Sequence, residues 1–254
     1  MRLFAASVFM IVAASPALAQ STPIAQNLPY PAAQDIPTGL YVQDGTFSDA
    51  LQSDGNYYYS QAIGQSFSVG SGHSSTITDI AFWGSSEYLQ STTPWNQTAL
   101  SSNIIGMQIA ILRIDPETSD FPIVHSWTIQ TGQFSQVLTG NYTAETFSPV
   151  FRLSSVLAGE ITLGAGNYMI TIGGVLNNPE GDSFAWTDGL ADGSVPATQA
   201  YATVGDTPTE WGTWIPIADK TSGAFVLNGI NVPAPGVAAL LAMAGLRGRR
   251  RRDR

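Results

Sequence analysis

His73 and His125 are the only imidazoles in the chain, so any activated Ser or Thr nucleophile would have to take its base from one of them. His125 alternates in phase with Ile123, Trp127 and Ile129, the setting of a hydrogen-bonded core histidine rather than of a general base. His73 stands in Ser71-Gly72-His73-Ser74-Ser75, which reads as a turn. Gly64-Gln65-Ser66-Phe67-Ser68 departs from the G-x-S-x-G elbow at its last position, and alternating strand residues surround it where a strand-to-helix bend is required. Serine hydrolysis is disfavoured on both counts.

Metal and carboxylate chemistry have weaker footing. The chain has no Cys and no H-E-x-x-H, which sets zinc aside. Calcium needs only oxygens, and the acidic turns Asp44 to Asp49, Asp115 to Asp120, Glu180 to Asp182 and Asp188 to Asp192 could supply them, although none has EF-hand spacing. No cofactor is expected, and calcium is the one cation left open. Glycoside hydrolysis needs two carboxylates across a cleft, but the chain's many acids would satisfy such a distance by chance. Gly70 and Gly72, like Gly164 and Gly166, lack the Lys-Ser/Thr of a phosphate loop.

Aromatic side chains are the more suggestive resource, because a ring face can stack on a sugar while neighbouring amides bond its hydroxyls. Of the 6 Trp, Trp83 and Trp127 lie in apolar strand contexts and are expected in the core. Trp95 in Thr93-Pro94-Trp95-Asn96, and Trp211 and Trp214 in Trp211-Gly212-Thr213-Trp214, sit among turn residues. These three are the candidate ligand contacts, with closure of the sandwich ends as the alternative role.

What must position such residues follows from composition. The 254 residues are 44% hydrophobic but only 11% charged, with 25 Gly and 15 Pro, a balance that favours many short strands over helices. Apolar and polar residues alternate at Phe67 and Val69, at Ile105, Met107, Ile109 and Ile111, and at Tyr168, Ile170 and Ile172. Ala224 to Leu227 is apolar on both sides, as an inner strand requires. Turn sequences such as Ser71-Gly72, Thr139-Gly140-Asn141 and Gly164-Ala165-Gly166 separate the runs. Eight to ten strands are expected. With no βαβ crossover, they form a mostly antiparallel, all-β, jelly-roll-like β-sandwich of two sheets.

The ends carry a different message. Residues 1–19 hold Arg2, an apolar run from Leu3 to Ala14, Pro16, and small residues at Ala17 and Ala19 before Gln20, the layout of a cleaved secretory signal. Residues 20–39, with Pro23, Pro29, Pro31 and Pro37, read as an extended leader or edge-hugging segment, and the compact domain is expected over 40–231. Residues 232–254 begin with Val232, Pro233, Ala234, Pro235 and Gly236. Ten mostly apolar residues follow, and then a basic cluster that includes Arg249, Arg250, Arg251 and Arg252. An apolar helix capped by arginines is a stop-transfer layout in miniature. Short helices are therefore expected at both termini.

Six of the 10 cations fall in that last cluster, so the stretch from Gln20 to Val232 holds Arg113, Arg152 and Lys220 against 18 carboxylates, a net charge of −15. So acidic a body repels nucleic acid and anionic lipid. The tail resembles the PEP-CTERM sorting signal of exported bacterial proteins, with Ala234 where that pattern has Glu. The resemblance implies an exosortase-type membrane protease as partner for the tail, only transient membrane anchoring, and residence in the cell envelope or an exopolysaccharide matrix. The expected function is thus that of an exported, non-enzymatic envelope or matrix protein associated with polysaccharide. A secreted carbohydrate-active enzyme with a carboxylate pair and a calcium-dependent ligand-binding module are the alternatives.

Overall fold

The computed structural model describes residues 21–29, 33–34, 41–43, 45–47, 49–51, 60–87, 97–115, 121–144, 146–178, 181–189, 198–202, 215–216 and 223–233. In chain order they form β1 (Thr22–Asn27), β2 (Ala33–Gln34), β3 (Tyr41–Gln43), β4 (Gly45–Phe47), β5 (Asp49–Leu51), β6 (Ser60–Val69), β7 (His73–Glu87) and β8 (Ile104–Arg113). Then come β9 (Ile123–Gln130), β10 (Ser135–Thr143), β11 (Pro149–Leu163), β12 (Gly166–Leu176), β13 (Ser183–Thr187), β14 (Thr198–Ala202), β15 (Ile215–Pro216) and β16 (Phe225–Pro233). One short 3-10 turn, Thr131–Gln133, interrupts them. The expected terminal helices lie outside the described residues.

One sheet has the order β1-β16-β7-β11-β10-β3-β2, with β13 and β4 continuing from β7. The other contains β15-β14-β6-β12-β8-β9, and the short β5 pairs with both β6 and β12. Within these, β1-β16-β7-β11 faces β6-β12-β8-β9, and every neighbouring pair in either row is antiparallel. Along the chain, each successive member of this set changes sheet except at the β8–β9 hairpin. That order is a jelly roll, the two-Greek-key arrangement of eight strands. The expected all-β sandwich is therefore present, with β10 and shorter strands added at its margins and two parallel pairings, β3–β10 and β5–β12, among the additions.

The core explains why the sheets face one another. Ile77, Ile80, Phe82, Phe151, Leu153, Phe225 and Leu227 of the first sheet join Met107, Ile109, Ile111, Trp127, Ile170 and Ile172 of the second in one buried cluster. Each apolar face is removed from water only by the other. Polar handles are satisfied inside it: Trp127 Nε1 donates to the Ala158 carbonyl at 3.0 Å, and Trp186 Nε1 donates to Ala224 at 2.9 Å.

Tertiary structure revises several sequence expectations. Of the two alternatives for the proline-bearing segment, Thr22–Asn27 takes the edge-hugging one, as the outer strand β1 of the jelly roll, so the sheet includes residues ahead of Leu40. Pro23 fits there because the strand is an edge strand and its register shifts between Pro23 and Ala25, where a missing N–H is tolerated. At the other end the strand outlasts the expected boundary at 231, since β16 runs through Val232 and Pro233. Ile105 does not join Met107, Ile109 and Ile111; a shift opposite Val175 and Leu176 turns Ile104 inward and leaves Ile105 39% exposed. A second shift, between Ile111 and Leu112, places Ile123 against the separate cluster of Ala110, Leu112 and Met169 instead of beside Trp127. Thr139-Gly140-Asn141 is not a turn: β10 passes through it, with Gly140 at φ 83° within a register irregularity between Leu138 and Tyr142. Trp83 is half-buried rather than in the core cluster. It pairs with Arg152, whose guanidinium carbon lies 5.7 Å from the ring centroid.

Candidate functional site

On β6 the residues Ile63, Gln65, Phe67 and Val69 share one side, and Ile63 and Val69 pack in the inter-sheet core. Gln65 interrupts this apolar row with an amide. It is only 3% exposed, and its Nε2 donates to the Ser66 carbonyl at 3.0 Å, while Oε1 meets no donor. A buried carbonyl acceptor left unpaired costs about 1–3 kcal/mol, so its persistence calls for an explanation.

Gln65 is among the residues that line a pocket of about 490 Å³ between edge strand β1 and β6, although its Oε1 is closed to solvent. Ile24, Ala25, Gln26 and Asn27 form one wall, and Gln65 to Ser68 form the other. Phe225, Ile114 and Asn167 also line it, and among the described lining residues every side chain is uncharged. The size falls within the ~300–1,000 Å³ typical of small-molecule sites.

The fold holds these groups firmly. Asn27 Nδ2 donates to the Gly223 carbonyl at 3.0 Å, tying the end of β1 to the segment that leads into β16. Phe67 stacks on Tyr168 with centroids 5.7 Å apart and planes at 25°, and its other neighbour, Phe225, stands at 6.3 Å and 60°. The Tyr168 hydroxyl donates to the Gly164 carbonyl at 2.9 Å, which fixes the stack from behind. At the rim, Ser68 Oγ donates to Asn167 Oδ1 at 2.8 Å, orienting that exposed amide with its nitrogen turned from the serine. A preformed aromatic floor with amide and hydroxyl groups around it can bind a neutral amphipathic molecule.

None of the site residues singled out from sequence is among the described residues that line this pocket. Trp95, Trp211 and Trp214 lie outside the described residues, as do Ala17, Ala19, Gln20, Ala234, Pro235, Gly236 and Arg249 to Arg252. Val232 is 46% exposed near the end of β16. His73 opens β7 in one sheet and is exposed, while His125 in β9 of the other sheet lies edge-on to Trp127 at 4.5 Å. Ser66 Oγ makes no hydrogen bond, so neither imidazole activates it. The acidic turns fall only partly within the described residues, among which no three His, Asp or Glu side chains group as a metal site.

Gln65, Phe67 and Asn167 escaped the sequence reading. One signal was available for the first: a long amide in phase with Ile63, Phe67 and Val69 is a polar break in an inward-facing row. Nothing local could link it to Gln26 or Asn167, which arrive from distant strands. No known family, curated protein or solved structure matches the chain.

Proposed function

We propose that the protein is an exported, non-enzymatic β-sandwich of the bacterial envelope or extracellular matrix, which carries a PEP-CTERM-type sorting tail and associates with polysaccharide. The observation that supports this reading is that β16, whose last residues are Val232 and Pro233, carries the described sheet as far as the first two residues of the proposed tail motif. β1 and β16 are antiparallel neighbours with Thr22 opposite Gly229, so the start of β1 and the end of β16 lie at the same rim, which is compatible with processing at both ends of the chain. An exosortase-type protease would act at that rim, with membrane contact limited to the C-terminal segment. Support for polysaccharide over polyanions comes from the acidity of the body and from the absence of charge among the described residues that line the pocket.

Fractionation of the native cells with intact-mass analysis tests this reading. The mature protein should be found in the envelope or matrix, begin at Gln20 and lack the region after roughly Pro235. A cytoplasmic protein, or an exported one that keeps its arginine cluster, would overturn it. Deleting Arg249 to Arg252 should release unprocessed protein into the medium, because the charge that halts translocation is gone.

A further inference from the structure

We propose that β1 is an exchangeable strand: Thr22–Asn27 of one copy of the chain takes the place of β1 beside β16 of a second copy, and reciprocal exchange makes a twofold dimer. The inference goes beyond the proposed function and does not rest on it.

The strand is lightly held. β1 comes first in the element order, its only strand partner among the described residues is β16, and the register of that pairing shifts between Pro23 and Ala25. Ile24 and Ala25 are only partly buried against the core, and β1 and β6 line the pocket of about 490 Å³ between them, so the two sheets do not close beneath this edge. An element with so little burial is among the first to open locally.

Its seat, by contrast, is specific. Ile24 lies over Gly229, where a Cβ would overlap it, and Asn27 Nδ2 donates to the Gly223 carbonyl at 3.0 Å. Just ahead of the strand, Ser21 Oγ donates to Asp79 Oδ2 on β7 at 3.3 Å. None of these contacts depends on which copy supplies β1, so an exchanged strand recovers them all. Neither β1 nor β16 carries a charged side chain, and the seat therefore accepts a strand from a like-charged copy without local repulsion. The link onward from β1 reads Leu28-Pro29-Tyr30-Pro31, in which each proline fixes its own φ and favours extended backbone in the residue before it. A stiff link limits how readily the strand folds back on its own body, which narrows the advantage of the closed monomer over the exchanged pair.

The absence of Cys from the chain makes a thiol test clean. Gln26 and Val226 are opposite each other in the β1–β16 ladder, and neither is buried. Gln26→Cys and Val226→Cys are introduced together in one chain and singly in two others, all produced in the native host and purified. The double variant should form its disulfide within the monomer on oxidation, because the ladder holds the two positions at bridging distance. An equimolar, concentrated mixture of the single variants should yield disulfide-linked dimer about tenfold above either variant alone, since exchange sets one thiol against the other across copies. Gln26→Cys mixed with Thr128→Cys, exposed on β9 of the other sheet, should stay at the single-variant level. Adding Asn27→Ala to the Gln26→Cys chain removes a bond that the closed and exchanged forms share, so it should speed the appearance of cross-linked dimer about tenfold.

No dimer above the single-variant level would overturn the exchange, and so would a double variant that fails to close within one chain. Equal cross-linking in the Thr128→Cys mixture would show non-specific contact, and a rate indifferent to Asn27→Ala would show association without release of β1; either result also overturns it. Failure of the export reading is separable, because the cross-link is read on purified protein wherever the cell puts it.

Discussion

Pro233, the last residue of β16, pairs with His73, the first residue of β7. Val232 likewise pairs with Ser74, and Ser75 Oγ donates to Asn231 Oδ1 at 2.5 Å one step further in. Val232 and Pro233, the first two residues of the proposed tail motif, therefore belong to the sheet itself. A protease cutting beyond Pro235 can work without unpicking the strand, whereas a cut within β16 would open the first sheet beside its long strand β7.

Truncation should reveal that border. A chain ending at Gly236 should unfold at the same denaturant concentration as the full chain. One ending at Asn228 loses the rungs from Gly229 to Pro233 that pair with β7, along with the Thr22 partner, and should lose ~2–4 kcal/mol. Equal midpoints for the two truncations would show that the end of β16 adds nothing.

Gly229 should tolerate no side chain. It sits at the register shift between Asn228 and Gly229, where a Cβ would overlap the Thr76 carbonyl oxygen on β7 and the Ile24 side chain on β1. A backbone oxygen within the ladder cannot yield cheaply, so Gly229→Ala should cost ~2–3 kcal/mol in equilibrium unfolding. Gly132→Ala, with open space around it, is the control and should stay within about 0.5 kcal/mol. A similar small effect at both sites would contradict the close approach.

Asn27 holds β1 in place from a buried position. Its amide donates to Gly223, so Asn27→Ala removes that bond and strands a carbonyl next to Trp186, for ~1–3 kcal/mol. Hydrogen exchange should speed up in Ile24 to Asn27 and at the β16 partners Phe225 to Leu227, while the β8–β9 hairpin keeps its protection. Uniform acceleration would mean that β1 does not open as a local unit.

Much of the sandwich was legible because alternation is a property of contiguous residues. Phe67 and Val69 against Ser66 and Ser68, or the two-sided apolar run at Ala224 to Leu227, can be read without knowing any partner strand. The misreadings have a shared cause. Ile105 and Ile123 lie at register shifts, and each shift depends on what the neighbouring strand does. Thr139-Gly140-Asn141 has turn chemistry, but a positive φ at Gly140 serves a strand irregularity as well as a hairpin. Asn103, which donates to the carbonyls of Asn178 and Asp182 and accepts from the Asn178 N–H, likewise joins segments that no local pattern links.

The sequence by itself determined the all-β class, the acidity of the body and the tripartite layouts at both ends, because composition, local period and charge clustering are written within a few neighbouring residues. Only the tertiary structure decided that the proline-bearing segment at Thr22–Asn27 is an outer strand of the jelly roll, and that Gln65 comes together with Gln26, Phe225 and Asn167 around one cavity. Those groups are separated by up to some two hundred positions in the chain, and what joins them is burial of two apolar sheet faces against each other, a long-range balance that no local pattern encodes.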